Sequence, residues 1–385
     1  MKNLKLIINL IVITSSLMLF QCTSDYTAIK GEPGIDGIDG VDGIDGIDGI
    51  DGVSVQQCID CHSSEHRNEI KAAYALSGHA TGTSWARGES GSCARCHNNE
   101  GYIDLLSGMY IEVDENDDPV LDQYNNEIIS ANFDGYQVSH NITCNGCHAP
   151  EEGHRSFDFE NDGNDYALRN IDPINLYIDP MVSLDMTSNA DPLGLSNTCI
   201  NCHQPRNSYP IPSGTGDITI TSRRYGPHHG PQSTMLEGIM GANIAGTTGY
   251  PGRGTAAHKT GASCTSCHMG ETTDGTDGSH TWEPTLNTCI ECHDSMTAIP
   301  EQITAWTDYK VLHDLLVAKG YISESGSVLG ADGGNAGSSN PLVVPVSHAQ
   351  AIWNYKTLEE DKSNGIHNPK YTEALLKNSI EALQN

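Results

Sequence analysis

Apolar residues follow a helical period in one stretch before residue 80 and again after residue 300 of this chain of 385 residues. Between these stretches, short apolar runs are broken by Gly, Pro, Asn and Asp, which favour turns. The pattern predicts a loop-rich fold with short helices, little strand and a helical segment at the carboxyl end. The predicted helices cover 65–77, 306–319, 349–360 and 371–383.

Two polar stretches divide this pattern. The stretch 325–340 is rich in Gly, Ser and Asn, and it predicts a loop between the first two carboxyl-terminal helices. The stretch 109–129 predicts a β-hairpin, and the acidic segment 114–119 is its turn.

The first residues have the pattern of a secretory signal. Lys2 and Lys5 precede an apolar run over 6–20, which is too short and too often interrupted to predict a membrane span. We therefore expect residues 1–21 to be a signal peptide and the protein to be exported. No later apolar run is long enough to cross a bilayer, so membrane attachment would come from an N-terminal lipid only.

A single cysteine follows this segment, in the string Leu19-Phe20-Gln21-Cys22. The string resembles a bacterial lipobox, in which the cysteine is lipidated and becomes the first residue of the mature protein. Gln21 stands where a small residue is usual, so an ordinary secretory signal is the alternative. We expect lipidation at Cys22.

Glycine then recurs at every third position from Gly31 to Gly52. This is the collagen requirement, because only Gly fits the axis of three polyproline-like strands. Pro33 is the one proline of the repeat, and Asp fills one place in most triplets, where stacked carboxylates would repel one another. We expect residues 22–56 to carry the lipid-anchor cysteine and a collagen-like Gly-x-Asp stalk that is anionic and solvated, with weak trimerisation as the alternative.

The string Cys-x-x-Cys-His occurs six times and uses every cysteine except Cys22. It is the attachment signature of c-type haem: two thiols bond to the porphyrin and the adjoining histidine ligates the iron. Zinc sites and disulfides are the alternatives, but neither requires a histidine directly after the second cysteine. The motifs, numbered here as sites 1 to 6, are Cys58/Cys61/His62, Cys93/Cys96/His97, Cys144/Cys147/His148, Cys199/Cys202/His203, Cys264/Cys267/His268 and Cys289/Cys292/His293.

These motifs predict a hexahaem domain over 57–300 and a multihaem cytochrome c fold packed around six c-type haems. Composition agrees, because the hydrophobic fraction is 37% and the chain has only four Phe. A conventional side-chain core would be thin, and we expect porphyrins to replace much of it.

The formal net charge of −30 limits the partners. So acidic a surface should repel nucleic acid and anionic membranes, and it could attract cations or positively charged redox proteins. Solubility of an exported protein is the alternative reason for the charge.

Six irons need six further ligands if all are six-coordinate. The chain has 17 His, so histidine on both faces of every haem is possible, which would give closed, low-spin irons. His228 and His229 could serve two haems, because successive side chains point apart in an extended segment. His66, His313 and His348 are expected to have other roles. The distal candidates chosen on local context are His79, His140, His154, His228, His229, His258 and His280.

Two segments add a resemblance. Tyr225-Gly-Pro-His-His-Gly-Pro-Gln-Ser-Thr-Met-Leu236 and Asp361-Lys-Ser-Asn-Gly-Ile-His-Asn-Pro-Lys-Tyr-Thr-Glu-Ala-Leu-Leu376 resemble bacterial multihaem cytochromes, closest to the outer-surface hexahaem cytochromes of extracellular electron transfer, some of which form nanowires. Gly-Ile-His-Asn-Pro also resembles pentahaem nitrite reductases. The resemblance implies that His228, His229 and His367 are distal ligands, so a helical cap over 301–385 would contribute one. Those reductases carry Lys in place of one motif His, whereas all six sites here keep His.

The function expected is electron transfer rather than enzymatic catalysis, along a chain of bis-His haems in an outer-membrane or cell-surface lipoprotein. Its partners would be other redox proteins or extracellular electron acceptors. One alternative is the subunit of a polymeric nanowire, self-associating into an extracellular filament. Another is a multihaem oxyanion reductase with one open haem.

Overall fold

Regular secondary structure is concentrated at the carboxyl end of the chain. The computed structural model describes residues 63–108, 111–116, 118–121, 127–128, 130, 134–149, 165–206, 209–301, 303 and 306–385. The predicted signal peptide, Cys22, the stalk, site 1 with Cys58, Cys61 and His62, and the candidate ligand His154 lie outside the described residues.

The described helices are mostly short. The longest are α1, α11, α12 and α13, and the helices at sites 2 to 6 each span one or two turns. The helices are α1 Ser64–Leu76, α2 Gly78–Thr81, α3 Gly91–His97, α4 Asn99–Leu106, α5 Cys144–Cys147, α6 Asn197–Ile200, α7 Gln232–Glu237, α8 Ala257–Gly261, α9 Cys264–His268, α10 Leu286–Ile290, α11 Thr307–Ala318, α12 Val346–Asp361 and α13 Pro369–Gln384.

The four helices predicted from hydrophobic spacing are confirmed as α1, α11, α12 and α13. Helix α12 begins three residues before its predicted start, directly after Pro345. Helix α13 begins at Pro369, and Asn368 caps it by accepting the N–H of Tyr371 at 3.1 Å. A side-chain cap followed by proline is a common helix start. The cap accepts one of the free N–H groups of the first turn, and proline has no N–H that needs a partner.

Two small antiparallel sheets account for the named strands of the described residues, and they agree with the prediction of little strand. Strands β1 Ile174–Leu176 and β2 Asp179–Leu184 form one sheet, and β3 Asp217–Ile220 pairs with β4 Leu342–Pro345 in the other. In the second sheet Leu342 and Val344 are buried while Val343 is exposed, as the two-residue period of a half-buried strand requires.

The predicted hairpin is present in its described part. Val113 bridges Pro119 across the turn, and Leu121 bridges Glu127. Asp114 stabilises the turn by accepting the N–H of Asn116 at 2.8 Å, which is the usual role of an Asp at the start of a turn.

A conventional side-chain core is present, contrary to the expectation from composition. Apolar residues from 220–244 and 303–383 form one buried cluster, with Trp353 and Tyr371 among its largest fully buried members. The low apolar fraction does not prevent this core, because the helical spacing of the apolar residues in α11, α12 and α13 brings them together in the interior. A smaller cluster joins Leu176 and Leu184 of the first sheet to Ile200, which lies within site 4.

Polar groups of α12 connect this core to the segment at 240–242. The Asn354 amide accepts the N–H of Ala242 at 2.7 Å and donates to Ala242 O at 2.9 Å and Ser379 Oγ at 3.0 Å. The Trp353 indole donates to Met240 O at 3.1 Å. Buried polar groups that find all their partners fix one arrangement of a core, so the carboxyl-terminal helices are held firmly on the region that contains the motifs.

The described residues, which begin at Ser63, belong to one unit by their contacts. None of the helices in the described ranges combines the length and the apolar character that a membrane crossing needs.

Replacing Leu375, which is 0% exposed on α13, with Ala should destabilise the fold. Leu375→Ala leaves a cavity in the core and should lower the free energy of unfolding by about 2–5 kcal/mol. Urea unfolding followed by far-UV circular dichroism measures this change. The matched control is Leu76→Ala, a residue 58% exposed at the end of α1, which should change stability by less than about 0.5 kcal/mol. Equal losses in both variants would contradict the assignment of the core.

Candidate haem-attachment sites

Each described motif is folded as a helical turn. His148, His203 and His293 each donate a backbone N–H to the carbonyl of the first cysteine of their motif, at 2.9 Å. Residues three apart lie on the same side of a helix, so the two cysteines of a motif present their sulfurs together. Ser263 and Thr285 cap the turns of sites 5 and 6 by accepting the N–H groups of Ser266 and Thr288.

The motif cysteines differ in exposure. Cys144 of site 3 and Cys292 of site 6 are exposed, whereas the other described motif cysteines are partly buried. Cys292 is therefore more open to solvent than most of the other described motif cysteines. The physical reason is its position: it follows the end of α10 at Ile290, and residues 290–295 all lie at the surface. The thiol remains three residues from Cys289, as attachment requires, but a porphyrin bonded to it would have that edge near solvent.

The turns of sites 2 and 4 pack against each other reciprocally. Cys96 Sγ contacts Asn201 O at 3.8 Å, and Cys202 Sγ contacts Arg95 O at 3.9 Å. Hydrogen bonding to the Cys96 thiol, followed by burial, holds the pKa of Cys202 well above its usual value, and the charges of the Cys96 and Cys147 thiols contribute in the same direction. Sites 2 and 4 are therefore direct neighbours, and site 3 lies close to site 4.

Site 4 also contacts site 5. Hydrogen bonding to Cys264 is the largest cause of the raised pKa of Cys199. Ser196 Oγ, just before the motif of site 4, accepts the N–H of Thr265 at 3.1 Å. Site 4 is therefore the common neighbour of sites 2, 3 and 5.

Sites 5 and 6 are adjacent as well. Thr285 donates its N–H to Cys267 O at 3.4 Å. Burial, followed by the nearby Cys289 thiol, raises the pKa of Cys267 to about 11, and the Cys292 thiol contributes in the same direction. The described sites thus form one connected set.

Four motif histidines face a second histidine from elsewhere in the chain. Each of these partners was predicted as a distal ligand from the sequence, and each comes from a loop or a short helix. Measured between ring centroids, the pairs are His79 with His203 at 6.3 Å, His280 with His148 at 6.4 Å, His258 with His293 at 6.2 Å and His367 with His268 at 6.4 Å.

These separations fit a six-coordinate iron. Two imidazoles on opposite faces of one iron have centroids roughly 6 Å apart, because each nitrogen lies about 2 Å from the metal and each centroid about 1 Å further out. Two rings that simply pack together can have centroid separations from about 4.5 Å upwards. The four histidine pairs all fall within a much narrower range, and this uniformity favours a common ligand between the rings over chance packing. The residues of sites 3 to 6 therefore fit a haem between each pair.

The Nδ1 atoms of three motif histidines donate to oxygen acceptors. A ligating histidine almost always donates its other ring N–H in this way, which fixes the tautomer and leaves Nε2 for the metal. The acceptors are Tyr166 O for His148 at 2.8 Å, Trp282 O for His268 at 2.8 Å and Gln232 Oε1 for His203 at 3.4 Å.

The opposite histidines differ in this respect. His367 Nδ1 donates to the Asp361 carboxylate at 2.7 Å, and His258 Nδ1 donates to Ile366 O. Within the described residues, His280 Nδ1 is buried without a hydrogen-bond partner. Among the described residues, His367 is thus bonded to a charged group and His258 to a neutral one, while Nδ1 of His280 has no hydrogen-bond partner.

Burial keeps several of these imidazoles neutral. Burial, together with His203, lowers the pKa of His79 to about 4, and burial with His148 lowers that of His280 to about 4. Burial also lowers the pKa of His268. Neutral imidazole is the form that binds metal, so these positions favour ligation at neutral pH.

His228 and His229 both lie near His97 of site 2. Burial, followed by His229, lowers the pKa of His97; burial, followed by His229, Arg206 and His97, lowers that of His228 to about 4. The expectation that the two rings point apart was wrong, since their centroids lie 4.9 Å apart. The physical reason is the backbone of His229, whose φ of 34° is far from an extended strand.

The other candidates are placed differently. His140 lies at the surface, and its Nδ1 is 3.0 Å from Glu100 Oε2. His313 contacts Asp314 at 3.1 Å, and His348 bonds to the Tyr321 hydroxyl at 2.8 Å. In the described part of the chain, the aromatic neighbours of His313 and His348 are tyrosines rather than motif histidines, which agrees with the expectation that they have other roles.

Trp282 is a residue of the site region that sequence analysis missed. Its ring lies 4.5 Å from that of His79 and 5.3 Å from that of His280, and its carbonyl accepts from His268. The segment that contains it is tightly turned: Gly278 has φ 67°, and a Cβ there would lie 2.3 Å from Gly270 O. Trp282 therefore touches histidines of sites 3, 4 and 5. The sequence offered one indication that Trp282 lies near a site, because it follows the candidate ligand His280 by two residues.

Comparisons with known proteins give few matches. No protein-family model and no curated protein matches the chain. Among solved structures, it is similar to the undecahaem cytochrome from the S-layer of Carboxydothermus ferrireducens, with 18% sequence identity and a TM-score of 0.43. The match covers 80% of this chain and 40% of that one, so this chain spans less than half the length of that cytochrome.

Proposed function

We propose that this protein is an exported hexahaem c-type cytochrome that transfers electrons at the outer cell surface. The observation that carries the proposal is the set of four facing histidine pairs, with centroids 6.2–6.4 Å apart, at four haem-attachment motifs. Bound haem supplies reversible one-electron chemistry, and the protein sets its ligands, spacing and exposure.

The proposal assigns ligands to individual sites. The motif cysteines hold the porphyrins covalently, and sites 3 to 6 take His280, His79, His367 and His258 as their second ligands. Site 2 takes His228 or His229. Histidine on both faces closes the iron to substrates, so these sites serve electron transfer rather than catalysis.

The contacts between motifs support conduction between sites. Site 4 touches sites 2 and 5 through thiol contacts, and Thr285, which caps site 6, bonds to site 5. Attachment points this close bring the porphyrins of neighbouring sites near one another, which favours rapid transfer. The electrons would be exchanged with other redox proteins or with an extracellular acceptor, and site 6 is suited to this exchange because Cys292 lies at the surface.

Location is the second part of the proposal. A signal peptide over 1–21, lipid on Cys22 and a solvated stalk over 22–56 would tether the haem domain to the outer membrane or cell surface. The net charge of −30 supports this arrangement, because so acidic a domain would be repelled by anionic lipid and would extend away from the membrane.

Removing one distal histidine should open one haem. His258→Ala takes away the proposed second ligand of site 6, so roughly one sixth of the iron should become high-spin. Electron paramagnetic resonance of the oxidised protein measures this fraction, and a haem assay on the same sample should still give six per chain. The matched control is His313→Ala, which should leave all the iron low-spin.

Two outcomes would contradict the ligand assignment. One is a His258→Ala protein that remains entirely low-spin. The other is high-spin iron in the unsubstituted protein, which would favour an oxyanion reductase with one open haem instead.

Substituting Cys22 should release the protein from the membrane. Cys22→Ser removes the only thiol available for the lipid, and without it the acidic domain has no attraction for an anionic surface. The variant should move from the membrane fraction to the soluble fraction, and its intact mass should lack the acyl groups. A high-salt wash of the unsubstituted protein is the control for charge-based binding. Unlipidated protein found in long filaments by electron microscopy would contradict the anchor and favour a nanowire subunit.

A further inference from the structure

One short turn contacts histidines at four sites. Residues 360–367 comprise the last two residues of α12 and the reversal that follows it, and we call them the 360–367 turn. Their side chains and carbonyls accept hydrogen bonds from His229, His258 and His367, and through Gln232 they connect to His203. These histidines belong to sites 2, 6, 5 and 4.

The shape of the turn brings His367 back to the helix end. Lys362, Asn364 and Gly365 have φ values of 59°, 58° and 79°, so the chain reverses over a few residues. Ile366 closes the turn by donating its N–H to Ser363 O at 2.9 Å. A Cβ at Gly365 would lie 2.4 Å from the Trp306 ring, so only glycine fits there.

Asp361 is the strongest contact of this turn. Its side chain is 2% exposed, and its Oδ1 accepts from His367 Nδ1 at 2.7 Å. Ser363 Oγ donates to the other carboxylate oxygen. A buried carboxylate that accepts a hydrogen bond from a ligating histidine places nearly a full negative charge beside the imidazole, on the side away from the iron.

The other contacts of the turn differ in charge. Gln232 Nε2 donates to Glu360 O at 3.0 Å and Asp361 O at 3.2 Å, while its Oε1 accepts from His203. Site 4 therefore has an amide as its acceptor, and site 6 has the carbonyl of Ile366. Glu360 is charged, but its partner His229 is largely exposed, with 69% of its side chain accessible, so solvent screens that pair more than the buried one.

We propose that Asp361 is a positioning residue that holds His367 on the iron of site 5 and makes the reduction potential of that site lower than those of its neighbours, sites 4 and 6. The proposal rests on the proposed function. On reduction, one electron from the reductant converts ferric to ferrous iron, and the positive charge of the site falls by one. A buried carboxylate on the ligand stabilises the more positive ferric state, so it lowers the potential. The acceptors described at sites 4 and 6, Gln232 for His203 and the Ile366 carbonyl for His258, are neutral and make no such contribution.

The test is a redox titration of the full, haem-loaded protein, followed by optical absorption and by electron paramagnetic resonance. Asp361→Asn keeps an acceptor for His367 but removes its charge. One midpoint should move positive by about 59 mV, which corresponds to a tenfold change in the ferric to ferrous ratio for one electron. The matched control is Glu373→Gln, an exposed carboxylate on α13 paired with Lys377, whose loss should leave every midpoint unchanged.

Two more variants make the test independent of how well Asp361→Asn folds. Asp361→Glu restores the charge and should bring the midpoint back towards the original value. Ser363→Ala removes the hydroxyl that donates a hydrogen bond to the Asp361 carboxylate. The carboxylate charge then acts more fully on His367, and the same midpoint should move negative.

The proposal is overturned if Asp361→Asn and the unsubstituted protein give superimposable titrations, or if Glu373→Gln shifts a midpoint as much as Asp361→Asn. A positive shift in Ser363→Ala would also overturn it. Failure of the proposed function is separate, because it would appear in the unsubstituted protein as fewer than six haems per chain or as high-spin iron.

Discussion

The constraint on which this structure depends is the separation of two imidazoles that face each other from distant parts of the chain. Under the proposed function, a covalent motif fixes only one face of a haem, and the fold must deliver a histidine to the second face to within a few tenths of an ångström. His367 is delivered by the end of α12 and its reversed turn, and His280 by a backbone that only Gly278 permits. The conventional core under the carboxyl-terminal helices provides the rigidity that this precision requires.

Local features of the sequence predicted what is local in the structure. Helical spacing located α1, α11, α12 and α13, and the Cys-x-x-Cys-His string located the attachment turns. The pairing of His79 with His203, or of His258 with His293, was out of reach, because it depends on contacts between residues far apart in sequence. The exposure of Cys292 was equally hidden, since its motif is identical in pattern to the more enclosed ones. The separation of the His228 and His229 rings was predicted wrongly, since a local φ of 34° at His229 does not follow from residue type.

Composition was a poor guide to packing for a related reason. A mean over 385 residues gives the amount of apolar residues but not their spacing, and the helical spacing in α11, α12 and α13 is what builds the core. The groups that hold the ligands were missed too. Asp361 and Gln232 carry no signature of their own, and their roles appear only when the fold brings them to Nδ1 of a histidine. Long-range partners of a ligand are therefore the part of such a site that most requires a structure.

The position of site 4, in contact with sites 2, 3 and 5, has a consequence for how the protein would tolerate damage. A linear series of carriers is interrupted by the loss of any member. In a branched array, transfer between the branches depends chiefly on the carrier they share. Loss of an outer carrier leaves the routes between the other carriers intact. Under the proposed function, variation at His79, His203 or the Cys96–Cys202 contact would be far more costly than variation at an outer site that does not itself exchange electrons with a partner. Natural selection would accordingly act unequally on six motifs that are identical in pattern.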